Sequence, residues 1–195
     1  MDVLIFSLFN GVLYGMLLFM LASGLTLIFS MMGVLNFAHA SFFMLGAYFA
    51  YQVSALIGFW PALIVAPILV GVVGALVERY GLRPVHRFGH VAELLFTFGI
   101  AFVIEELVQM VWGMVPMDYR VPPSLEFTLF SLSGLDYSAY RVFMLVVSVG
   151  IFVALYALLT HTRIGLIIRA AVALPDNVAA LGHDVPKIFM WTFGS

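Results

Sequence analysis

Apolar positions run almost unbroken from Val3 to Val77, with no Lys, Arg, Asp or Glu between them. A membrane-spanning helix needs about 20 apolar residues, so this stretch alone has room for three. The polar run NFAHAS, with Asn36, His39 and Ser41, separates a first span at about 4–30 from a second at about 38–56. A third covers 59–77, with Pro61 in its first turn, where a missing N–H costs nothing. A fourth is predicted at about 91–112 and a fifth at about 141–159. The closing run IFMWTFGS starts a sixth and stops after eight residues, too few to span. The pattern predicts an all-α fold: a polytopic transmembrane helical bundle of five complete spans plus the start of a sixth. It forms one transmembrane domain over 1–195 and reads as the N-terminal part of a longer protein.

Composition agrees. Charged residues make up 9% of the 195, against about 25% in soluble domains, and the mean hydropathy is +1.15. A net charge of -2 argues against nucleic acid as a partner. The chain has no cysteine, so it can build neither a disulfide nor a thiolate metal site. Asp2 and the lack of early Lys or Arg argue against a cleavable signal peptide. Arg79, Arg83 and Arg87 follow the third span, and Arg163, Arg169 and Lys187 follow the fifth. Two spans separate these segments, so they share a side, which the distribution of basic residues assigns to the cytoplasm. The N-terminus and the 113–140 loop then face outward.

Few polar groups stand within the spans. Asn36, His39 and Ser41 read either as a turn in which Asn36 caps the second helix or as a break whose polar groups face a water-filled path. In the fourth span Glu93–Thr97 and Glu105–Gln109 are each four apart, hence neighbours on a helix face. An intramembrane carboxylate costs about 2.5–3.5 kcal/mol on insertion scales and usually faces the bundle interior or a cavity, which is the expectation for Glu105. The alternative is that Glu105 and Glu106 mark the outer end of a tilted helix. Gly11–Gly15, Gly46–Ala50 and Gly71–Ala75 are small-xxx-small pairs that permit close helix packing. No phosphate-binding loop, zinc-protease or serine-hydrolase motif occurs. No catalytic residue, metal site or cofactor is expected.

One polar segment remains, RAAVALPDNVAALGHDV at 169–185. Pro175-Asp176 breaks any helix that continues from the fifth span. Asp176 suits an N-cap and Gly182 a C′ position, enclosing a helix of about one and a half turns. Val178 and Leu181 lie three apart on it. So short a helix is marginal alone, so it packs either on its own bundle or on another protein.

The runs VLNFAHASFFMLGAYFA, VERYGLRPVHR, HTRIGLIIRAAVALPDNVAALGHDV and WTFG occur in this order. Together they resemble the branched-chain amino acid permeases of ATP-binding-cassette importers. The resemblance implies a single permease domain with a cytoplasmic coupling loop at 161–187. In that loop Arg169, Asp176, Val178, Ala179, Ala180, Leu181 and Gly182 contact an ATPase. It implies two ATPase subunits, a second homologous permease, a periplasmic substrate-binding protein, membrane lipid around the bundle and a small amino acid as substrate. Asn36, His39, Ser41, Glu93, Thr97, Glu105 and Gln109 are the candidates for the translocation path. Relatives of this type also move urea or short amides. A passive channel or ion-coupled carrier using Glu93 or Glu105 is the competing reading from outside the family.

Overall fold

The computed structural model describes residues 2–32, 36–115, 117, 119–132, 135–162 and 165–166. Helix α1 (Asp2–Met32) is followed by α2 (His39–Ile57) and α3 (Phe59–Val77). A five-residue π-helical segment, Glu78–Leu82, then leads into α4 (Arg83–His86). Helix α5 (His90–Trp112) follows a short turn, and α6 (Ala139–His161) comes after the long loop. Five helical stretches are long and apolar enough to cross a membrane, and the second to fifth are His39–Ile57, Phe59–His86, His90–Trp112 and Ala139–His161. The protein is a polytopic helical membrane protein.

Glycines set two of the sharpest reversals. Gly58 alone separates α2 from α3 at a φ of +95°, where an L side chain is strained, and its N–H is taken up by Ser54 O at 3.0 Å. The two helices consequently run back to back, and a Cβ on Gly46 would already touch Val70 at 3.4 Å. Gly89, at a φ of +88°, makes the equivalent break before α5. Helix α1 packs on α6, and α2 on α5. Ile28, Ala38, Phe42, Leu45, Leu82, Ile104 and Val108 form a common buried core.

The third span is longer than its apolar run. Hydropathy falls at Glu78, yet the backbone stays helical to His86. The reason is local: Arg83 donates Nε and Nη2 to the two oxygens of Glu78 at 3.1 and 2.8 Å, so the buried carboxylate is satisfied inside the helix. The π turn also brings Gly81 so close to Phe96 of α5 that a Cβ there would collide with the ring.

At the opposite end the loop carries a two-stranded antiparallel hairpin, which an all-α expectation omits. Strands β1 (Thr128–Leu132) and β2 (Leu135–Ser138) pair Thr128 with Ser138 and Ser131 with Asp136. Tyr137 of β2 is 2% exposed and meets Phe6 and Phe9 of α1 at ring distances of 5.3 and 5.8 Å. Ser138 Oγ accepts the Tyr140 N–H at 3.3 Å and caps α6.

Candidate functional site

Asn36, His39, Glu93 and Thr97 gather toward the end of the helices that bears Arg79, Arg83 and Arg87. Asn36 Oδ1 accepts the Ala38 N–H at 3.1 Å, and Asn36 O accepts the His39 N–H at 3.1 Å. This is a side-chain-supported turn of the kind Asn forms readily. It caps the residue before α2 rather than the first turn of α2, since Ala38 stands at the N-cap without a side-chain bond.

The turn is buried at Asn36 and Ala38, while the Phe37 side chain between them is exposed. Asn36 is 3% and Ala38 1% exposed. The His39 ring bonds Leu21 O of α1 at 3.0 Å. Leu21 precedes the end of α1 by about 16 Å, at about 1.5 Å per residue. The ring also fills the space beside Gly24, where a Cβ would come within 2.8 Å of Cε1. On the other side the Phe37 N–H donates to Thr97 Oγ1 at 3.4 Å, about 10 Å into α5. Non-helical backbone is tolerated at such depth only where protein or a water-lined cavity surrounds it. Among the described residues Asn36 Nδ2 finds no acceptor although it is buried.

One turn above Thr97, Glu93 is wholly buried. His86 Nδ1 lies against its Oε1, and His90 Nδ1 against its Oε2 at 3.2 Å. Both imidazoles are exposed, so the carboxylate is closed in from the solvent side by groups that themselves stay wet. Glu93, Thr97 and Asn36 therefore form one buried polar seam, with His39 and the half-buried Ser41 beside it. The histidine partners escape a reading of the chain as helix faces, because His86 and His90 flank the break at Gly89. Their H-x3-H-x2-E spacing was the available signal.

The second carboxylate group stands apart. Glu105 and Glu106 are both exposed and Gln109 is half-buried, so no contact among the described residues encloses Glu105. Residues 167–195 lie outside the described residues. Arg169, Asp176, Val178, Ala179, Ala180, Leu181, Gly182 and the start of the sixth span fall there.

A concavity of about 460 Å³ opens at the hairpin end between α2, α3 and α6. Tyr48, Tyr51, Phe59, Tyr119 and Tyr140 supply its aromatic lining, beside Ala62 and Leu63.

Comparison with known proteins matches residues 7–195 to the branched-chain amino acid transport system / permease component family. The chain is 29% identical over 195 residues to a probable branched-chain amino acid transport permease protein LivH of Methanocaldococcus jannaschii, covering 93% of this chain and 60% of that protein. It is 26% identical over 203 residues to the high-affinity branched-chain amino acid transport system permease protein LivH of Escherichia coli K12, covering 96% and 65%. The protein BraD of Pseudomonas aeruginosa, described in the same words, is 23% identical over 204 residues, again covering 96% and 65%. The chain thus spans a little under two thirds of the length of these relatives. No solved structure matches it. With five membrane-spanning helices and a match from residue 7 to its last residue, the chain belongs to the family of branched-chain amino acid transport permease components.

Proposed function

We propose that the protein is the membrane-spanning permease subunit of an ATP-binding-cassette importer that carries leucine, isoleucine and valine across the bacterial inner membrane. The family match over 7–195 is the observation that carries this reading. Energy comes from two ATPase subunits, one of which grips the 169–185 loop through Val178 and Leu181. A second homologous permease completes the path, and a periplasmic binding protein delivers the amino acid. The N-terminus and the hairpin are periplasmic, and the arginine end is cytoplasmic, as the loop charges favour.

The buried turn supports a path beside it. Asn36 Nδ2 is a donor with no acceptor among the described residues, and Thr97, His39 and Ser41 add polar edges to an otherwise apolar bundle. Such a wall suits a solute with a charged head and an apolar side chain. Glu105 and Gln109 lie farther along α5, about 120° round the helix from Glu93 and Thr97, on a face this chain leaves open. The exposure of Glu105 on this chain is what a carboxylate covered by the second permease requires.

Uptake of labelled leucine by cells lacking their own branched-chain uptake, supplied with this permease and its partner subunits, tests the reading. Isoleucine and valine compete, urea and short amides do not, and ATP depletion stops uptake. Leu181→Asp inserts normally but fails to co-purify with the ATPase and gives no uptake. Uptake that survives ATP depletion and collapses with the proton gradient identifies an ion-coupled carrier instead. Competition by urea alone moves the substrate to the amides.

A further inference from the structure

We propose that the arginine end of the third span binds the headgroup of an anionic phospholipid, through Arg79 and Arg87 with the rings of Tyr80 and Phe88. The span Phe59–His86 has 28 residues. At about 1.5 Å per residue that is about 42 Å, the thickness of a bilayer with its headgroups rather than of its roughly 30 Å hydrocarbon core. Centred on the bilayer, that length reaches about 6 Å, or about four residues, into the headgroups at each end. Arg83–His86 then lie at headgroup depth, with Arg87 just beyond and Arg79 a turn inside, where a long side chain still reaches the headgroups. The other end of the span fixes this register. Trp60, which is exposed, packs with Phe59 and Phe143 at 5.4 and 5.5 Å, as an interfacial aromatic belt does.

At this end of the span the charge among the described residues is not balanced. Arg83 is committed to Glu78, and Glu93 is committed to His86 and His90. Arg79 and Arg87 are exposed, and among the described residues neither meets a carboxylate. Each guanidinium lies over a ring instead, Arg79 over Tyr80 at 5.5 Å and Arg87 over Phe88 at 4.7 Å. A guanidinium over a ring keeps N–H groups for other acceptors, and their fork is what binds a phosphate through two hydrogen bonds. The rings are themselves uncovered, with Tyr80 69% and Phe88 67% exposed. An aromatic side chain at the boundary seats its face among glycerol and upper acyl carbons while the arginine above it meets the phosphate. Two cations that meet no carboxylate among the described residues, two rings that these residues leave bare, and the depth match an anionic lipid. A zwitterionic headgroup brings its own ammonium and gains less.

The site does not depend on the transport reading. A lipid seated there braces the π segment, whose Gly81 lies on Phe96 only a turn from Glu93.

Native mass spectrometry of the whole protein, released from micelles containing equal phosphatidylglycerol and phosphatidylcholine, tests the assignment. Wild type retains phosphatidylglycerol preferentially, and the preference declines as ammonium acetate is raised. The double substitution Arg79→Gln, Arg87→Gln lowers it about thirtyfold, from about fivefold per arginine near a charged surface. Arg120→Gln, which removes an equal charge at the other end, leaves it unchanged. If the double variant is not monodisperse, Arg79→Gln and Arg87→Gln are measured singly, and each loses about fivefold. Equal retention of the two lipids by wild type overturns the proposal, as does an undiminished preference in the variants. Retained lipid preference with loss of ATPase co-purification also overturns it and makes the patch a protein-docking surface.

Discussion

Removing His86 should hurt this protein more than removing the carboxylate it serves. Glu93 is wholly buried, while the His86 and His90 side chains are 56% and 71% exposed. His86→Leu takes the partner from Oε1 while a side chain of similar bulk still keeps water out, leaving a buried acceptor unsatisfied, which costs about 1–3 kcal/mol. At about 2–4 °C per kcal/mol for a chain of this size, the unfolding midpoint falls by roughly 2–12 °C. Glu93→Leu removes the buried polar group itself and returns two imidazoles to water, a change that is nearly neutral when shape is kept. The double variant then unfolds close to Glu93→Leu, so the second substitution rescues the first. The chain has 3 tryptophans and no cysteine, so the melt is followed in detergent by tryptophan fluorescence, a thiol-reactive dye having nothing to label. Equal losses from the two single variants, adding in the double, would refute the reasoning, because independent contacts add and a shared buried pair does not.

Thr97→Val keeps the shape of the side chain but removes the acceptor of the Phe37 N–H. It lowers the midpoint by about 2–4 °C, for about 1 kcal/mol, and Thr97→Ser restores it; a Val variant as stable as wild type shows that the bond holds nothing. Phe88→Cys, made in this cysteine-free chain at an exposed position, is labelled in intact cells only by a membrane-permeant thiol reagent. Ready labelling by an impermeant one reverses the orientation.

The five spans are legible from residue order because the solvent changes along a membrane helix, and hydropathy reports that change directly. The expected boundaries at 4–30, 38–56, 91–112 and 141–159 fall within about two residues of the observed helices. The third, expected at 59–77, coincides with α3, but the helical backbone runs on past it through the π segment to His86. Hydropathy marks where the hydrocarbon ends, at Val77, and says nothing about where the helical hydrogen bonds end, at His86. The hairpin at 128–138 was hidden because its strands are four and five residues long and take their stability from Tyr137 lodging on α1, a contact across more than a hundred residues.

The two carboxylate pairs of α5 look alike in the chain and differ in space. Glu93–Thr97 and Glu105–Gln109 have the same spacing, yet Glu93 and Thr97 are buried while Glu105 is exposed. A helix face is a property of spacing, and residue order supplies it. Burial needs a neighbour on that face, and the neighbours of Glu93 and Thr97 come from elsewhere: His86 across the Gly89 break and Phe37 from the turn before α2. The turn at Asn36 follows the same division. Its polar residues announce a break between two spans, but its burial beside Leu21 and Thr97 follows only from the way α1, α2 and α5 pack, since depth is set by the surrounding helices and not by the turn itself.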